Sequence, residues 1–519
     1  MTFDMNLPLS ELNSQVDASE NHLFSPRMLF SRRGVLITSV GALTSLVAGS
    51  SAAAAEGSVL LQPSGKTLFR VRTEMDVKGN VNVPNNPLVS RKGEVKLPIK
   101  SKAVFDFEER YYRPEDADPA SVVSYVQRYY HEASSESVLN RNSQTTKLRD
   151  SVKSTVIRRD SLPEVVYGVE DYFQRDELDL LRVPASSVAV DELLPNEAVS
   201  VGSRYMPSVD AMVSLLNLSV VETSDVTMEV MSIDDAEARL QFRGNVAGSL
   251  EGVPTTIRTI GKLTFDRQLG TCTWLAMAVH ETREVSKAEP GFDVTATIRM
   301  IRKPLDQSTA LDEPATDQIA TSPIPSERLY VDLRSQQLGF SVLMDRDWRM
   351  MNDVAGAAMM RMIRNDRSIA QCDFRPLVAL EAGAQWTLEA FQQDVKTTLG
   401  EQLSELIEAD QRVTSSGLRV LRVTASGAVE GIPIQWVLMH FSDDSGRRLL
   451  ATFTMEGENV EKFAGTDVQV GDSLSFTKLP PKAEKSASYE SSDEDSSRVA
   501  KANSAEFSDD EVGSASDLK

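Results

Sequence analysis

Metal-binding and nucleophilic side chains are scarce in this sequence. Histidine occurs four times in 519 residues, as His22, His131, His280 and His440, each alone on its stretch of chain. Zinc needs several converging ligands, and no local pair supplies them. H-E-x-x-H, GxxxxGK followed by Ser or Thr, and GxGxxG are all absent. "GSLEG" (Gly248 to Gly252) lacks the spacing of a nucleophile elbow and suits a tight hairpin. "SDDSG" (Ser442 to Gly446) lacks the spacing of a calcium loop and suits a turn. No catalytic, cofactor-binding or metal-ligating residue is assigned, no cofactor is expected, and the chain is expected not to be an enzyme.

Other shortages exclude other classes. Cys272 and Cys372 are the two cysteines, and neither lies in a C-x-x-C. They read as separate buried thiols, with a disulfide as the open alternative. Positive charge is short: Lys and Arg total 55 against 76 Asp and Glu, a net charge of −21. Such a surface repels nucleic acid and anionic lipid headgroups. Long apolar runs are also missing. The one mild run, residues 34–48, falls short of the roughly 20 residues that cross a bilayer, so no span is expected in the mature chain.

That run has its own meaning. Arg32 and Arg33 stand before it, and Ala53 and Ala55 fill the two small positions of a cleavage site before Glu56. Ser31-Arg32-Arg33-Gly34-Val35-Leu36 resembles the twin-arginine export signal of bacteria, with Val35 where that motif prefers phenylalanine. An ordinary secretory signal and an uncleaved anchor are the alternatives. Residues 1–55 are read as signal peptide with an extension, and the resemblance implies the periplasm or cell envelope.

The chain beyond Glu56 is rich in period-two alternation. In "TLFRVRTEMDV" (Thr67 to Val77), Phe69 and Val71 oppose Leu68, Arg70 and Arg72; in "KAVFDFEERYY" (Lys102 to Tyr112), Phe105 and Phe107 oppose Val104, Asp106 and Glu108. These are half-buried antiparallel strands. A helix is expected over 208–218, capped by Ser208 and carrying Val209, Met212, Leu215 and Leu216 on one face. Strands over 225–233, 237–250, 255–267, 271–285 and 292–303 form a meander with turns at Glu251-Gly252, 267–270 and Pro290-Gly291. A sheet this long must curl to bury one face. "LLPNEAVSVGSRY" (Leu193 to Tyr205) and "GKLTFDRQLGTCTWLAMAVHETREV" (Gly261 to Val285) resemble exported proteins of planctomycete-type bacteria, whose plan is similar to LolA-like half-barrel carriers. The resemblance covers about 60–303 and implies a curved sheet with a groove for a lipophilic ligand.

Residues 304–327, with further prolines and many Ser and Thr, read as a linker with little to bury. A second domain is expected over 328–479. Its pieces are a strand over 338–351 running into a loop at Trp348, a strand over 370–377, and a helix over 387–406 capped by Thr387. Three strands over 418–455, a short helix near 459–464 and a last strand over 472–476 complete it. The helix carries Leu388, Phe391, Val395, Leu399, Leu403 and Leu406 on one stripe. This order resembles the PsbP/Mog1/DcrB-like superfamily, with Asp345 where members often have proline before the tryptophan. The resemblance implies an α/β/α sandwich and no active site to transfer. Trp274, Trp348, Trp386 and Trp436 read as core. Residues 480–519, rich in Ser, Asp and Glu, read as a disordered acidic tail, either solvating or bound to cations or a basic partner.

The fold class is thus α+β, mostly antiparallel β: a half-barrel (56–303), then a sandwich (328–479). The expected function is an exported, non-enzymatic binding or scaffold protein of the periplasm or envelope. A carrier of a lipophilic ligand is the alternative, and an undetected hydrolase the second. Partners narrow to a protein or a lipophilic ligand, with the oligomeric state open.

Overall fold

A computed structural model describes residues 58–84, 94–114, 118, 121–286, 290–381 and 383–479. The export-signal residues Arg32, Arg33, Ala53, Ala55 and Glu56, and the acidic tail, lie outside them.

Alternation builds the first sheet. Along Leu68–Pro84 (β1), Phe69 and Val71 are buried; along Glu94–Tyr111 (β2), so are Phe105 and Phe107, with Val71 directly opposite Phe107. Arg70, Arg72 and Asp106 stand on the other face, tied by the Arg70–Asp106 ion pair at 2.6 Å. The sheet continues with β3 (Tyr125–Leu139), β4 (Asn142–Lys147), β5 (Ser154–Arg158), β6 (Val165–Gly168), β7 (Arg204–Tyr205) and β8 (Val220–Ser224). Then come β9 (Thr227–Ile233), β10 (Glu237–Leu250), β11 (Val253–Asp266), β12 (Thr271–Arg283) and β13 (Gly291–Pro304). The order is β6-β5-β3-β2-β1-β13-β12-β11-β10-β9-β7, with β4 beside β3 and β8 beside β10, 13 strands in an open antiparallel sheet. β1 is the keystone: it pairs with β2 along one edge and β13 along the other, so it joins two meanders.

The inner face is filled by the chain between β6 and β8, which carries α1 (Arg175–Leu181) and α2 (Val209–Leu216). Ser208 caps α2, its hydroxyl accepting from Ala211 N at 3.1 Å. The apolar stripe expected on α2 is wider than the sequence implies. Met212, Leu215 and Leu216 are buried, but so are Ala211, Val213 and Ser214, while Val209 is 53% exposed. A helix enclosed by a sheet is covered nearly all round, so amphipathic spacing fades.

The expected linker behaves otherwise than its composition suggests. Residues 305–325 lie as a strap across the outer face. Thr309 N donates to Glu108 at 2.9 Å, the Gln127 amide to Glu313 O at 3.1 Å, and Arg158 to Ser322 O at 2.9 Å. The short helix α3 (Asp317–Thr321) buries Ala320 against Tyr125, Val156 and Tyr167. Ser and Thr, which read as solvated linker, here satisfy a carboxylate that is itself only 1% exposed. Burial would raise the pKa of Glu108, but the Ser308 and Thr309 donors outweigh it and hold it at about 2.

The second half carries two sheets. β14 (Val331–Ser335), β15 (Phe340–Met344) and β23 (Ser475–Phe476) form a small one. The larger has seven strands, namely β16 (Trp348–Val354), β17 (Ala357–Arg364), β18 (Arg367–Leu377), β19 (Leu403–Val413), β20 (Arg419–Val429), β21 (Ile432–Ser442) and β22 (Arg448–Glu456), in the order β16-β17-β18-β22-β21-β20-β19. Helix α4 (Leu388–Leu399) covers one face, with Phe391 and Val395 on Leu421, Val423 and Leu438. Phe463 of α5 (Val460–Phe463) and Val470 of α6 (Thr466–Ser473) share the core on the other face with Met439, Phe441 and Phe453.

Two expectations from the sequence are corrected by the structure. The strand expected over 338–351 is two strands in different sheets, broken at 345–347, and Trp348 opens β16 rather than a loop. The helix expected to reach Leu406 stops at Leu399, where Gly400 takes φ 51°. Leu403 and Leu406 belong to β19. Its register shifts between Leu403 and Glu405 and again between Leu406 and Glu408. Each bulge adds a residue, so a spacing of three keeps both leucines against the α4 core and imitates a helical stripe. The Thr387 cap stands, its hydroxyl accepting from Ala390 N at 3.2 Å. Both cysteines are buried and free. Trp348 and Trp436 are core residues, at 0% and 5% exposure, whereas Trp274 and Trp386 are only partly covered.

Candidate functional site

The inner face of the first sheet is apolar along most of its length and ionic at one end. Arg302 of β13 reaches Asp191 at 3.1 Å, the Tyr111 hydroxyl at 3.0 Å and Cys272 O at 3.0 Å. The Tyr111 hydroxyl donates to Glu109 at 2.7 Å; Arg128 pairs with the other Glu109 oxygen at 2.9 Å, and the Ser187 hydroxyl donates to that oxygen at 2.7 Å. Both guanidiniums lie over rings, Arg302 at 4.5 Å from the Phe69 centroid and Arg128 at 4.1 Å from that of Phe107. Period-two reading places Glu109 and Arg302 in the core row, where their charge looks like an error of pattern. They are consistent with that row because each is paired and hydrogen-bonded.

Beside this network is a partly open cavity of about 290 Å³. Its floor is Phe105, Phe107, Ile157, Leu178, Leu181 and Val183. Its rim is polar: Arg128, Glu164, Arg182 and Ser186 from the first half of the chain, Glu251 near its middle, and Arg346 and Asp347 from the β15–β16 turn. Glu164 pairs with Arg159 at 2.9 Å, and the Ser186 hydroxyl lies 3.1 Å from both Glu164 oxygens. Burial pushes the Glu164 carboxyl above its usual range against the pull of Arg159 and Arg128. Glu251 sits between Arg182 at 2.6 Å and Arg349 at 2.7 Å. Burial alone would raise it, and these two guanidiniums hold it low. The Arg346 guanidinium is brought down to about 10 by burial and by the nearby charge of Arg182.

None of these residues was legible as a site. Glu164, Arg182, Glu251 and Arg346 lie on separate segments of the chain, and no local motif joins them. Arg346 lies in "MDRDW", between two aspartates, where alternating charge signals a turn. Among the described residues, no group of three or more His, Cys, Asp or Glu side chains is placed to hold a metal ion. His131 and His280 pair with Glu108 and Asp293, while His440 is buried. A wider, more open recess of about 880 Å³ lies under the strap, lined by Lys66, Arg110, Tyr112 and Arg113.

No family model matches the chain, and no curated protein does. Among solved structures, it is similar to the translocator domain of autotransporter NalP from Neisseria meningitidis, at 6% identity over 75% of this chain and 88% of that one, TM-score 0.11. Salmonella typhi OmpF in complex with daunomycin matches at 6% identity over 76% and 98%, TM-score 0.12. Pseudomonas putida OprB matches at 7% identity over 75% and 92%, TM-score 0.10. Scores this low carry no argument about fold or function. The outer face of this chain speaks for itself. A membrane barrel presents an apolar band to lipid, whereas the outward row here includes Arg70, Arg72, Glu74 and Asp106, several of them ion-paired, on a sheet that does not close. No helix among the described residues is long and apolar enough to cross a membrane.

Proposed function

We propose that this is a non-enzymatic binding protein of the cell envelope whose cavity takes a small amphiphile. The cavity is the observation that carries the reading: an apolar floor, a polar rim and a volume of about 290 Å³, close to the lower end of ligand pockets. A long-chain lipid does not fit, because the segment carrying α1 and α2 occupies most of the inner face. At about 30 Å³ per water-sized unit, the space suits roughly ten non-hydrogen atoms. The Arg32-Arg33 pair and the Ala53–Ala55 site support the envelope as the place of work. The LolA-like and PsbP/Mog1-like resemblances, both families of exported or adaptor proteins, point the same way.

The Ser186–Glu164 contact favours a second reading, that of a hydrolase. The raised pKa of Glu164 suits a base, but its ion pair with Arg159 already engages the carboxylate that would take the proton of Ser186. Native mass spectrometry of the chain purified from its own envelope separates the readings. A retained small mass that dissociates unchanged supports the binding protein. A bare polypeptide that cleaves short esters, with cleavage lost in Ser186→Ala, overturns it.

A further inference from the structure

We propose that the cavity selects an amphiphile with a carboxylate head and that the Arg346 guanidinium receives that head. The inference rests on the cavity reading above and names the chemistry of its ligand.

The charges lining the cavity balance pair by pair until Arg346 is reached. Glu164 has Arg159 at 2.9 Å, Glu251 has Arg182 at 2.6 Å, and Asp347 has Arg364 at 2.6 Å. Arg128, a lining cation, has Glu109 at 2.9 Å. Arg346 has two backbone carbonyls instead. Its Nε donates to Leu329 O at 2.8 Å and its Nη2 to Val166 O at 2.6 Å. Among the described residues no carboxylate lies within ion-pair distance of it. The neighbouring Asp345 carboxylate accepts from Asp347 N at 2.8 Å.

Two carbonyls fix the plane of the guanidinium. They use two of its five N–H groups, and Nη1 makes no hydrogen bond among the described residues. A planar fork held at one edge and free at the other matches a carboxylate better than a point charge does. The cost of a half-buried cation with no carboxylate partner supplies the driving force. Its depressed pKa of about 10 reflects that cost and still leaves it charged at neutral pH. The apolar floor then requires a tail, and the size limits it to a medium chain.

The test is calorimetric titration of the full chain with octanoate, octan-1-ol and acetate, on the wild type and Arg346→Gln. Octanoate is expected to bind at least about tenfold more tightly than octan-1-ol, as a charge-assisted hydrogen bond implies. Arg346→Gln is expected to abolish that preference. Equal binding of acid and alcohol to the wild type overturns the carboxylate inference and leaves the cavity reading standing. Binding of neither overturns both. Acetate binding as tightly as octanoate shows a plain anion site and overturns the amphiphile. The wild-type comparison decides even where Arg346→Gln fails to fold.

Discussion

The two halves of the chain bury different things. The first sheet encloses an ionic network, with Arg302, Arg128 and Glu109 each almost wholly covered. The seven-stranded sheet encloses hydrocarbon and rings, with Phe374, Phe441 and Phe453 at 0% exposure on one face and the neutral His440 packed on Trp386 and Phe391 on the other. Apolar cores tolerate exchange of side chains of similar volume, because dispersion is not directional. Ionic cores do not, because removing one partner leaves another charge buried and alone. The first half spends packing freedom on a fixed polar geometry beside its cavity. The second half supplies packing and, to the cavity rim, Arg346 and Asp347.

The sharpest way to break this comparison is Arg302→Met. It strands Asp191, and the expected loss is about 3–5 kcal/mol in denaturant unfolding. Phe453→Leu in the other half is expected to cost less, about 1–2 kcal/mol. Similar losses for the two would remove the distinction.

Acid probes the second core. Burial, followed by the charge of Arg448, lowers His440 to about 4, and Arg448 Nε donates to its Nε2 at 3.0 Å. An unfolded histidine titrates near about 6.5. Stability is therefore complete above that pH and falls as pH drops towards 4, because only the unfolded chain takes the proton in that window. The expected loss is at most about 3 kcal/mol, seen in urea midpoints at about pH 7 and pH 4.5, and His440→Gln should flatten the dependence.

Gly252 tests the seam between the halves. It has φ 85°, and an added Cβ would lie 2.7 Å from the Asn365 backbone at the tip of the β17–β18 hairpin. Gly252→Ala should cost about 1–3 kcal/mol, and hydrogen exchange should rise at both turns together. Exchange confined to one turn would mean that the tips do not support each other. The smallest effect is expected at Thr387→Ala, which removes the α4 cap, costs about 1 kcal/mol, and should leave ligand binding untouched.

Much of the local structure could be read from residues alone. The alternation of Phe69, Val71, Phe105 and Phe107, the Ser208 and Thr387 caps, and the turns at Glu251-Gly252 and Asp443–Gly446 depend on neighbours a few positions apart. Where a distant contact overrides the local pattern, reading failed. The β19 bulges turned a strand into a helical stripe, and the strap became ordered only because Glu108 waits for it across the sheet.

The sequence by itself determined the alternating strands, the capped helices, the acidic surface and the scarcity of metal-binding side chains, because each is a property of composition or of short-range spacing. Tertiary structure alone decided which charges are paired. Arg346 reads as surface between two aspartates, and only the fold brings it to the rim of a cavity built from distant segments of the chain. Pairing depends on distance in space, and spacing along the chain carries no record of it.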